Sequence, residues 1–214
     1  MTTTQSVTQP VDIVVASGNQ GKLSELRSLL GPGFRIQSAG DLGADLPEET
    51  ETTFAGNARL KAVAVARQTG MIAIADDSGL EVRALNGAPG VYSARYSGAN
   101  ATDATNREKL LHELRDVPAE DRHARFVSVI AIAFSPDDVE TAEGTVDGLV
   151  TFGERGSGGF GYDSLFELPG GKTMAEISSE EKNAISHRGR AMVQARDILA
   201  RRLDRSDGAE GDLR

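Results

Sequence analysis

The 214-residue sequence contains no cysteine, no tryptophan and only three histidines. Without cysteine, the chain has no disulfide, zinc–thiolate site, iron–sulfur cluster or cysteine nucleophile. The histidines His112, His123 and His187 do not form an H-E-x-x-H metal motif.

Long apolar runs and an excess of positive charge are also missing. No uncharged apolar run reaches about 18 residues, so no transmembrane helix is predicted, and the start MTTTQSVTQPVD lacks the features of a secretory signal. Lys and Arg total 23 against 32 Asp and Glu, a formal net charge of −9. This balance argues against a general nucleic-acid binder, although a local pocket for one small anion remains compatible with it. We expect a cytoplasmic protein with no membrane and no nucleic-acid partner.

Apolar runs of strand length alternate with amphipathic stretches, which predicts an α/β fold. Strands are expected at Val11–Ala16, Met71–Ala75, Arg125–Phe134 and Glu140–Phe152, the last broken at Gly144 and at Asp147-Gly148, with Leu80–Ala84 as a shorter candidate. Helices are expected at Gly21–Leu30, Thr53–Thr69, Thr105–Arg115 and Ser186–Leu203, the third opened by a capping box from Thr105 to Glu108. Residues 125–152 look antiparallel, so we expect a mixed sheet.

The length suits one large domain or two closely joined lobes. The polar start and the charged end RSDGAEGDLR are typical of solvated termini. We therefore expect a flexible arm at 1–10, a single two-lobed domain at 11–204 and a flexible tail at 205–214.

The first candidate site lies between a predicted strand and a predicted helix. Glycines allow close backbone approach to an anion, and a helix N-terminus offers unpaired N–H groups. The spacing is not that of a Walker A loop, and a plain turn with an exposed lysine is an equally good interpretation of this segment alone. The residues of this segment are Ser17, Gly18, Asn19, Gln20, Gly21 and Lys22.

The second candidate is acidic. Glu48, Glu49 and Glu51 precede a predicted helix, and Asp76-Asp77-Ser78 follows the apolar run MIAIA. Adjacent carboxylates at the end of a buried strand are costly unless a cation or donor satisfies them, and Mg²⁺ prefers such oxygen ligands. A solvated charge run is the better interpretation of Glu51, and a turn is the alternative for Asp-Ser-Gly.

A third candidate combines glycines with aromatic residues in GSGGFGYD at 156–163. Phe160 or Tyr162 can stack on a flat base, although a glycine loop with aromatics in the core is the better interpretation of this segment by itself. The fourth candidate, Lys182 with His187 and Arg188, places cations near the start of the last helix. A solvent-facing basic cluster is an equally good alternative there.

These segments together resemble one family. ASGNQGKLSEL at 16–26, EETETTFAGNARLKA at 48–62, IADDSGLEVRALNGAPGVYSARYSG at 74–98, GGFGYDSLF at 158–166 and EKNAISHRGRA at 181–191 occur in the order found in inosine/xanthosine triphosphate pyrophosphatases, house-cleaning enzymes for non-canonical purine nucleotides. The resemblance covers about 16–191. It implies an elongated mixed β-sheet flanked by helices, two lobes with a central cleft, and a homodimer.

The resemblance also implies the reaction and the roles of residues. Family members hydrolyse ITP, dITP and XTP to the monophosphate and pyrophosphate with Mg²⁺. By motif position, Asp77 is the proton acceptor and a metal ligand, Glu48 is the other metal ligand, and Glu49 or Asp76 shares that work. The implied substrate-binding residues are Ser17, Gly18, Asn19, Gln20, Gly21, Lys22, Ser78, Phe160, Gly161, Tyr162, Asp163, Lys182, His187 and Arg188.

Two positions depart from the family pattern. Gly56 stands where many relatives carry Glu, and Glu51 stands where many carry Gly, which bears on affinity and metal preference. Rival hypotheses are a related pyrophosphatase for modified pyrimidine nucleotides, a nucleotide sensor without hydrolysis, and a phosphatase that releases orthophosphate. The Nudix box is absent from the sequence.

Overall fold

The computed structural model describes residues 10–209, with side chains as far as Asp204. The strands are β1 (Val11–Val15), β2 (Phe34–Ser38), β3 (Ile72–Val82), β4 (His123–Ser135), β5 (Asp138–Val150) and β6 (Phe166–Glu167). The helices are α1 (Gln20–Leu30), α2 (Phe54–Thr69), α3 (Asp103–Glu113), α4 (Ser179–Ile185) and α5 (His187–Ala209).

The strands form one six-stranded sheet in the order β2-β1-β3-β4-β5-β6. β1 runs parallel to β2 and β3, whereas β3, β4, β5 and β6 pair antiparallel. The parallel strands β1, β2 and β3 are joined through α1 and α2. In the antiparallel part, β4 and β5 are joined by a short turn, whereas β3 reaches β4 through residues 83–122, which include α3. The predicted mixed α/β fold is confirmed.

Helices cover both faces of the sheet. Because side chains alternate along a strand, Ala73 and Ala75 of β3 pack with α2 on one face, and Ile74 packs with α1 and α5 on the other. A third apolar cluster lies toward the far ends of the long strands, where Leu80 and Phe126 meet Leu110 of α3. The two clusters packed against α2 and against α1 and α5 form one part of the molecule, and the third cluster forms the other part. The middle of β3 lies between these two parts.

β3 is longer than the apolar run that predicts it. It continues through Asp76 and Asp77 to Val82 and joins the two segments expected as separate strands. The expectation that the two aspartates lie at the end of a strand is wrong, because β4 pairs with β3 without interruption from Ala73 to Val82. Pairing with a neighbouring strand overrides the local turn preference of Asp-Ser-Gly.

β5 is also continuous, although breaks at Gly144 and Asp147-Gly148 are expected from the sequence. Gly144 lies where the start of α5 crosses the strand, and a Cβ there would overlap the carbonyl oxygen of His187. Gly148 is similarly crowded by Glu167 and Phe166. Both glycines therefore permit close packing against the strand rather than a turn.

The helices differ from expectation mainly at their ends. α3 begins earlier than predicted because Thr102, not Thr105, is the N-cap, and Thr105 completes the capping box at the third position. α5 extends to Ala209, past the predicted end at Leu203. β2, β6 and α4 are additional elements. Residues 1–9 of the predicted arm (1–10) and residues 210–214 of the predicted tail (205–214) lie outside the described residues, and residues 205–209 of that tail belong to α5. Within residues 10–209, no helix combines the length and apolarity needed to span a bilayer.

Candidate functional site

A cleft lies between the two parts of the molecule, beside the middle of β3. Its walls come from the start of α1, the middle of β3, the loop around Phe160 and the start of α5. Eleven of the predicted site residues line this cleft. They are Asn19, Lys22, Asp77, Ser78, Phe160, Gly161, Tyr162, Asp163, Lys182, His187 and Arg188.

Asp76 lies inside the cleft wall, and neighbouring side chains bind both of its carboxylate oxygens. Its Oδ2 lies 2.9 Å from Lys22 Nζ and 3.1 Å from Arg188 Nη2, and it accepts a hydrogen bond from Ser78 Oγ at 3.0 Å. Its Oδ1 accepts from Ser128 Oγ at 2.5 Å. Burial alone would raise the pKa of Asp76, but Arg188 and Lys22 outweigh it and hold the pKa well below its usual range.

Asp77 is also buried but only half satisfied. Its Oδ1 accepts a hydrogen bond from Lys61 Nζ at 3.0 Å, while its Oδ2 is buried and has no hydrogen-bond partner among the described residues. Burial raises the pKa of Asp77, and the nearby Lys61 and Lys22 offset this only in part. Asp77 lines the cleft, and a buried carboxylate oxygen without a partner is suited to binding a cation or a water molecule.

Lys61 of α2 links Asp77 to a second carboxylate. Its ammonium group lies 2.8 Å from Glu49 Oε1 and also donates to the Asp76 carbonyl oxygen at 3.0 Å. Arg95 holds the other Glu49 oxygen at 2.7 Å. Burial would raise the pKa of Glu49, but Lys61 and Arg95 lower it to about 2. Glu49 is therefore a charged carboxylate next to Asp77.

The oxygen donors fit a magnesium ion. Within the described residues, no group of three or more His, Asp or Glu side chains forms a metal cage, but Mg²⁺ commonly uses one or two carboxylates with substrate phosphates and water. Asp77 offers its free Oδ2, and Glu49 lines the same cleft. Glu48, the residue implied by the family resemblance, is exposed and is not among the residues that line the cleft.

The predicted phosphate cradle forms the start of α1. The Asn19 side chain caps the helix by accepting from Lys22 N at 3.1 Å, and Ser17 Oγ accepts from Asn19 N at 3.2 Å. Asn19 and Lys22 reach the cleft, whereas Gly18 and Gln20 are exposed. The cradle is thus a capped helix start with one lysine that faces the carboxylates.

Phe160 packs on this helix start from the opposite side of the cleft. A Cβ on Gly21 would lie 2.8 Å from the Phe160 ring, so glycine allows the ring to rest on the backbone. The Lys182 ammonium stands 4.8 Å from the ring centre, and Lys182 is paired with Glu25 at 2.7 Å and Asp163 at 2.5 Å. Burial raises the pKa of Asp163, and Lys182 offsets it in part.

His187 and Arg188 complete the wall at the start of α5. Arg188 binds Asp76, Ser78 and Glu25 through its terminal nitrogens. The His187 ring stacks on Phe126 with a centroid distance of 4.7 Å, and burial together with Arg188 holds the pKa of His187 well below its usual range. Arg188 Nε and His187 Nδ1 are buried without hydrogen-bond partners in the described part of the chain. Both residues line the cleft, and each therefore keeps one polar atom that no described protein group binds.

Sequence reasoning missed Lys61 and Glu25. Lys61 falls on the α2 face that also carries Ala58, Ala62 and Val65, and a lysine on an apolar face is a signal for a buried partner. Glu25 lies three residues after Lys22 on α1. Nothing in the local sequence pattern shows that its carboxylate reaches Lys182, which is distant in the sequence.

The geometry defines a mixed α/β protein whose cleft is lined by cations, by a carboxylate with a free oxygen and by an aromatic ring. The sequence profile of the Ham1 family matches residues 13–198. The chain belongs to the Ham1 family.

Similar proteins agree with this assignment. A dITP/XTP pyrophosphatase from Salmonella paratyphi A is 52% identical over 191 residues, covering 87% of this chain and 97% of the relative. One from Desulforamulus reducens is 50% identical over 192 residues, covering 88% and 96%. The structure of a HAM1 protein from Coxiella burnetii superposes with a TM-score of 0.82 at 42% identity, covering 89% of this chain and 99% of that chain.

Proposed function

We propose that this protein hydrolyses the non-canonical purine nucleoside triphosphates ITP, dITP and XTP to the monophosphate and pyrophosphate. The observation that carries the proposal is the free, buried Oδ2 of Asp77, a residue that lines a cleft together with cations and an aromatic ring. The similar proteins from Salmonella paratyphi A and Desulforamulus reducens are named dITP/XTP pyrophosphatases, which supports this substrate class.

At the phosphate end, Lys22 and the start of α1 bind the triphosphate. Asp77 Oδ2 accepts a proton from a water molecule as the water oxygen forms a bond to the α-phosphorus. The bond from the α-phosphorus to the bridging oxygen breaks, and the electron pair leaves with pyrophosphate. Lys61 fixes the other Asp77 oxygen at 3.0 Å and so aims Oδ2 toward the cleft.

We propose Mg²⁺ as the cofactor, held by Asp77 with Glu49 or Glu48. When bound, the ion supplies charge neutralisation for the triphosphate and for the departing pyrophosphate. Glu49 lines the cleft and contacts the same ammonium group as Asp77, which favours it over the exposed Glu48.

At the base end, Phe160 stacks on the purine and unpaired polar atoms read its edge. Hypoxanthine and xanthine carry a 6-oxo acceptor that can receive the N–H of Arg188 Nε. Adenine carries a 6-amino donor, which would leave that buried N–H unsatisfied and so bind more weakly. Guanine also has a 6-oxo group, so the protein has to distinguish GTP from ITP and XTP by the 2-amino group of guanine.

The experiment is product analysis with the purified chain. ITP, XTP, ATP and GTP are incubated with and without Mg²⁺, and pyrophosphate and orthophosphate are assayed separately. Metal-dependent pyrophosphate from ITP and XTP, with little from ATP and GTP, supports the proposal. Orthophosphate would move cleavage away from the α-phosphorus, and tight ITP binding without turnover would favour a sensor.

We also propose a cytoplasmic homodimer without nucleic-acid or membrane partners. The acidic net charge of −9 supports a small-molecule substrate over nucleic acid. Light scattering during size-exclusion chromatography should give twice the chain mass of 22.6 kDa. A monomer mass at micromolar concentration would contradict the dimer.

A further inference from the structure

Two residues on one face of α3 hold the backbone of the Phe160 loop, Asp103 at the cleft and Arg107 away from it. Asp103 Oδ2 accepts a hydrogen bond from the Gly161 N–H at 2.7 Å. Arg107 Nη1 donates to the Gly161 carbonyl oxygen at 2.8 Å. Asp103 and Arg107 are four residues apart, so they share a helix face. They therefore grip both polar groups of one glycine, and we call this pair the Gly161 clamp.

Arg107 is itself fixed at a second point of the same loop. Its Nε lies 3.0 Å from Glu154 Oε2, and the Arg107 side chain is only 18% exposed. Glu154 Oε2 in turn accepts from Ser164 Oγ at 2.9 Å. The positive charge of Arg107 lowers the pKa of Glu154 and keeps it charged. Arg107 thus ties α3 to both the early and the late part of the loop.

The loop needs such restraint because of its composition. Gly156, Gly158, Gly159 and Gly161 surround Phe160, and glycine loses more conformational freedom on ordering than any other residue. Gly161 adopts the left-handed region with φ of 61°. Inside the loop, the Phe160 N–H is held by Asp163 Oδ2 at 2.9 Å, and the next peptide is held by the clamp.

We propose that Asp103 and Arg107 are positioning residues that keep Phe160 ordered for stacking on the nucleobase before substrate arrives. Preordering removes the entropic cost of fixing the ring from the binding step, so the clamp contributes to base affinity and not to bond cleavage. The proposal rests on the proposed function. Arg107 is not among the residues that line the cleft, so its effect passes through Gly161.

The kinetic test compares Arg107→Met with Arg115→Met. Arg115 lies just past the end of α3, pairs with Asp116 at 3.1 Å and is 60% exposed, so it is a matched charge-removal control. For Arg107→Met we expect KM for ITP to rise at least about tenfold, the loss of one hydrogen bond to a charged donor, with kcat nearly unchanged. Arg107→Lys should lie in between, because an ammonium group cannot reproduce the guanidinium fork.

Inorganic tripolyphosphate separates positioning from general damage. It lacks a base, so its inhibition constant against ITP hydrolysis should be the same for wild type and Arg107→Met. An unchanged KM for ITP in Arg107→Met would overturn the proposal. A parallel loss of kcat and of tripolyphosphate affinity would also overturn it, since that result means a disturbed phosphate end.

A second measurement needs no substrate. The chain has no tryptophan, so Phe160→Trp provides a single fluorescent reporter at the loop. In that background, Arg107→Met should increase acrylamide quenching and lower the anisotropy, whereas Arg115→Met should not. Equal quenching in both variants would refute the clamp even if wild type failed to hydrolyse ITP, which would refute only the proposed function.

Discussion

Replacing each of the two adjacent aspartates by asparagine should produce opposite defects. Asp76 is 1% exposed and contacts Lys22 and Arg188. Removing one partner from a buried ion pair costs about 3–5 kcal/mol. For a chain of this size, 1 kcal/mol shifts Tm by about 2–4 °C, so Asp76→Asn should lower Tm by about 10 °C.

Asp77→Asn should leave the fold intact and remove activity. The raised pKa of Asp77 means that folding disfavours its charged form, so a neutral side chain removes a cost. Lys61 keeps Glu49 and the Asp76 carbonyl oxygen as partners. We expect a Tm within about 3 °C of wild type and a fall in turnover of at least about 100-fold, the contribution of a general base.

The assays are thermal unfolding followed by circular dichroism and pyrophosphate release from ITP. Asp147→Asn is the matched control, because the Asp147 side chain is 71% exposed and pairs only at the surface with Arg125; it should change neither quantity. Near wild-type turnover in Asp77→Asn would refute the role of Asp77 as base. A wild-type Tm in Asp76→Asn would refute the role of Asp76 as a buried ionic centre.

Three further predictions concern packing and pH. Gly144→Ala should lower Tm by about 5 °C and raise KM for ITP, because the new Cβ displaces the His187 carbonyl at the start of α5; a wild-type KM would show that α5 does not move. A Cβ on Gly56 would lie 2.7 Å from Glu51 Cβ. The change in free energy of unfolding caused by Gly56→Ala, measured by urea unfolding, should therefore be more favourable by about 1 kcal/mol in a Glu51→Gly background than in wild type. Additive effects of the two substitutions would rule out this contact. The pKa of Glu49, about 2, lies below its ordinary value of 4.5, so its stabilisation is present above pH 4.5 and lost as the pH falls toward 2. The Tm of Glu49→Gln should therefore fall less than the Tm of wild type as the pH is lowered across that range. Parallel curves of Tm against pH for the two proteins would contradict the assignment.

Much of the site could be predicted from the sequence because its motifs keep local signatures. Lys22 follows a strand at a helix start, and His187 and Arg188 open the last helix, as the pattern indicates. The pairing of Lys61 with Asp77 could not be predicted, since it depends on how α2 packs on β3. The course of β3 through Asp76 was also missed, because ladder pairing with β4 decides it and local turn propensity does not.

The two departures from the family pattern show the same limit. Glu51 and Gly56 each look like a separate change in the charge near the metal site. The structure places them in contact, with the Glu51 side chain over the Gly56 backbone. A larger side chain at position 56 would need the space that Glu51 occupies, so the two positions are sterically coupled, which only the fold of the segment before α2 reveals.

The continuous course of β3 also explains why neighbouring aspartates differ in chemistry. Successive side chains of a strand point to opposite faces, so Asp76 faces Lys22 and Arg188 on the side of α1 and α5, and Asp77 faces Lys61 of α2. Asp76 therefore has both oxygens bound by this chain's own cations and hydroxyls. One oxygen of Asp77 remains free because α2 supplies a single lysine, and Glu49 shares that lysine. The carboxylate beside Asp77 in the structure is thus Glu49, so the proposed magnesium ion would depend on those two side chains rather than on Asp76.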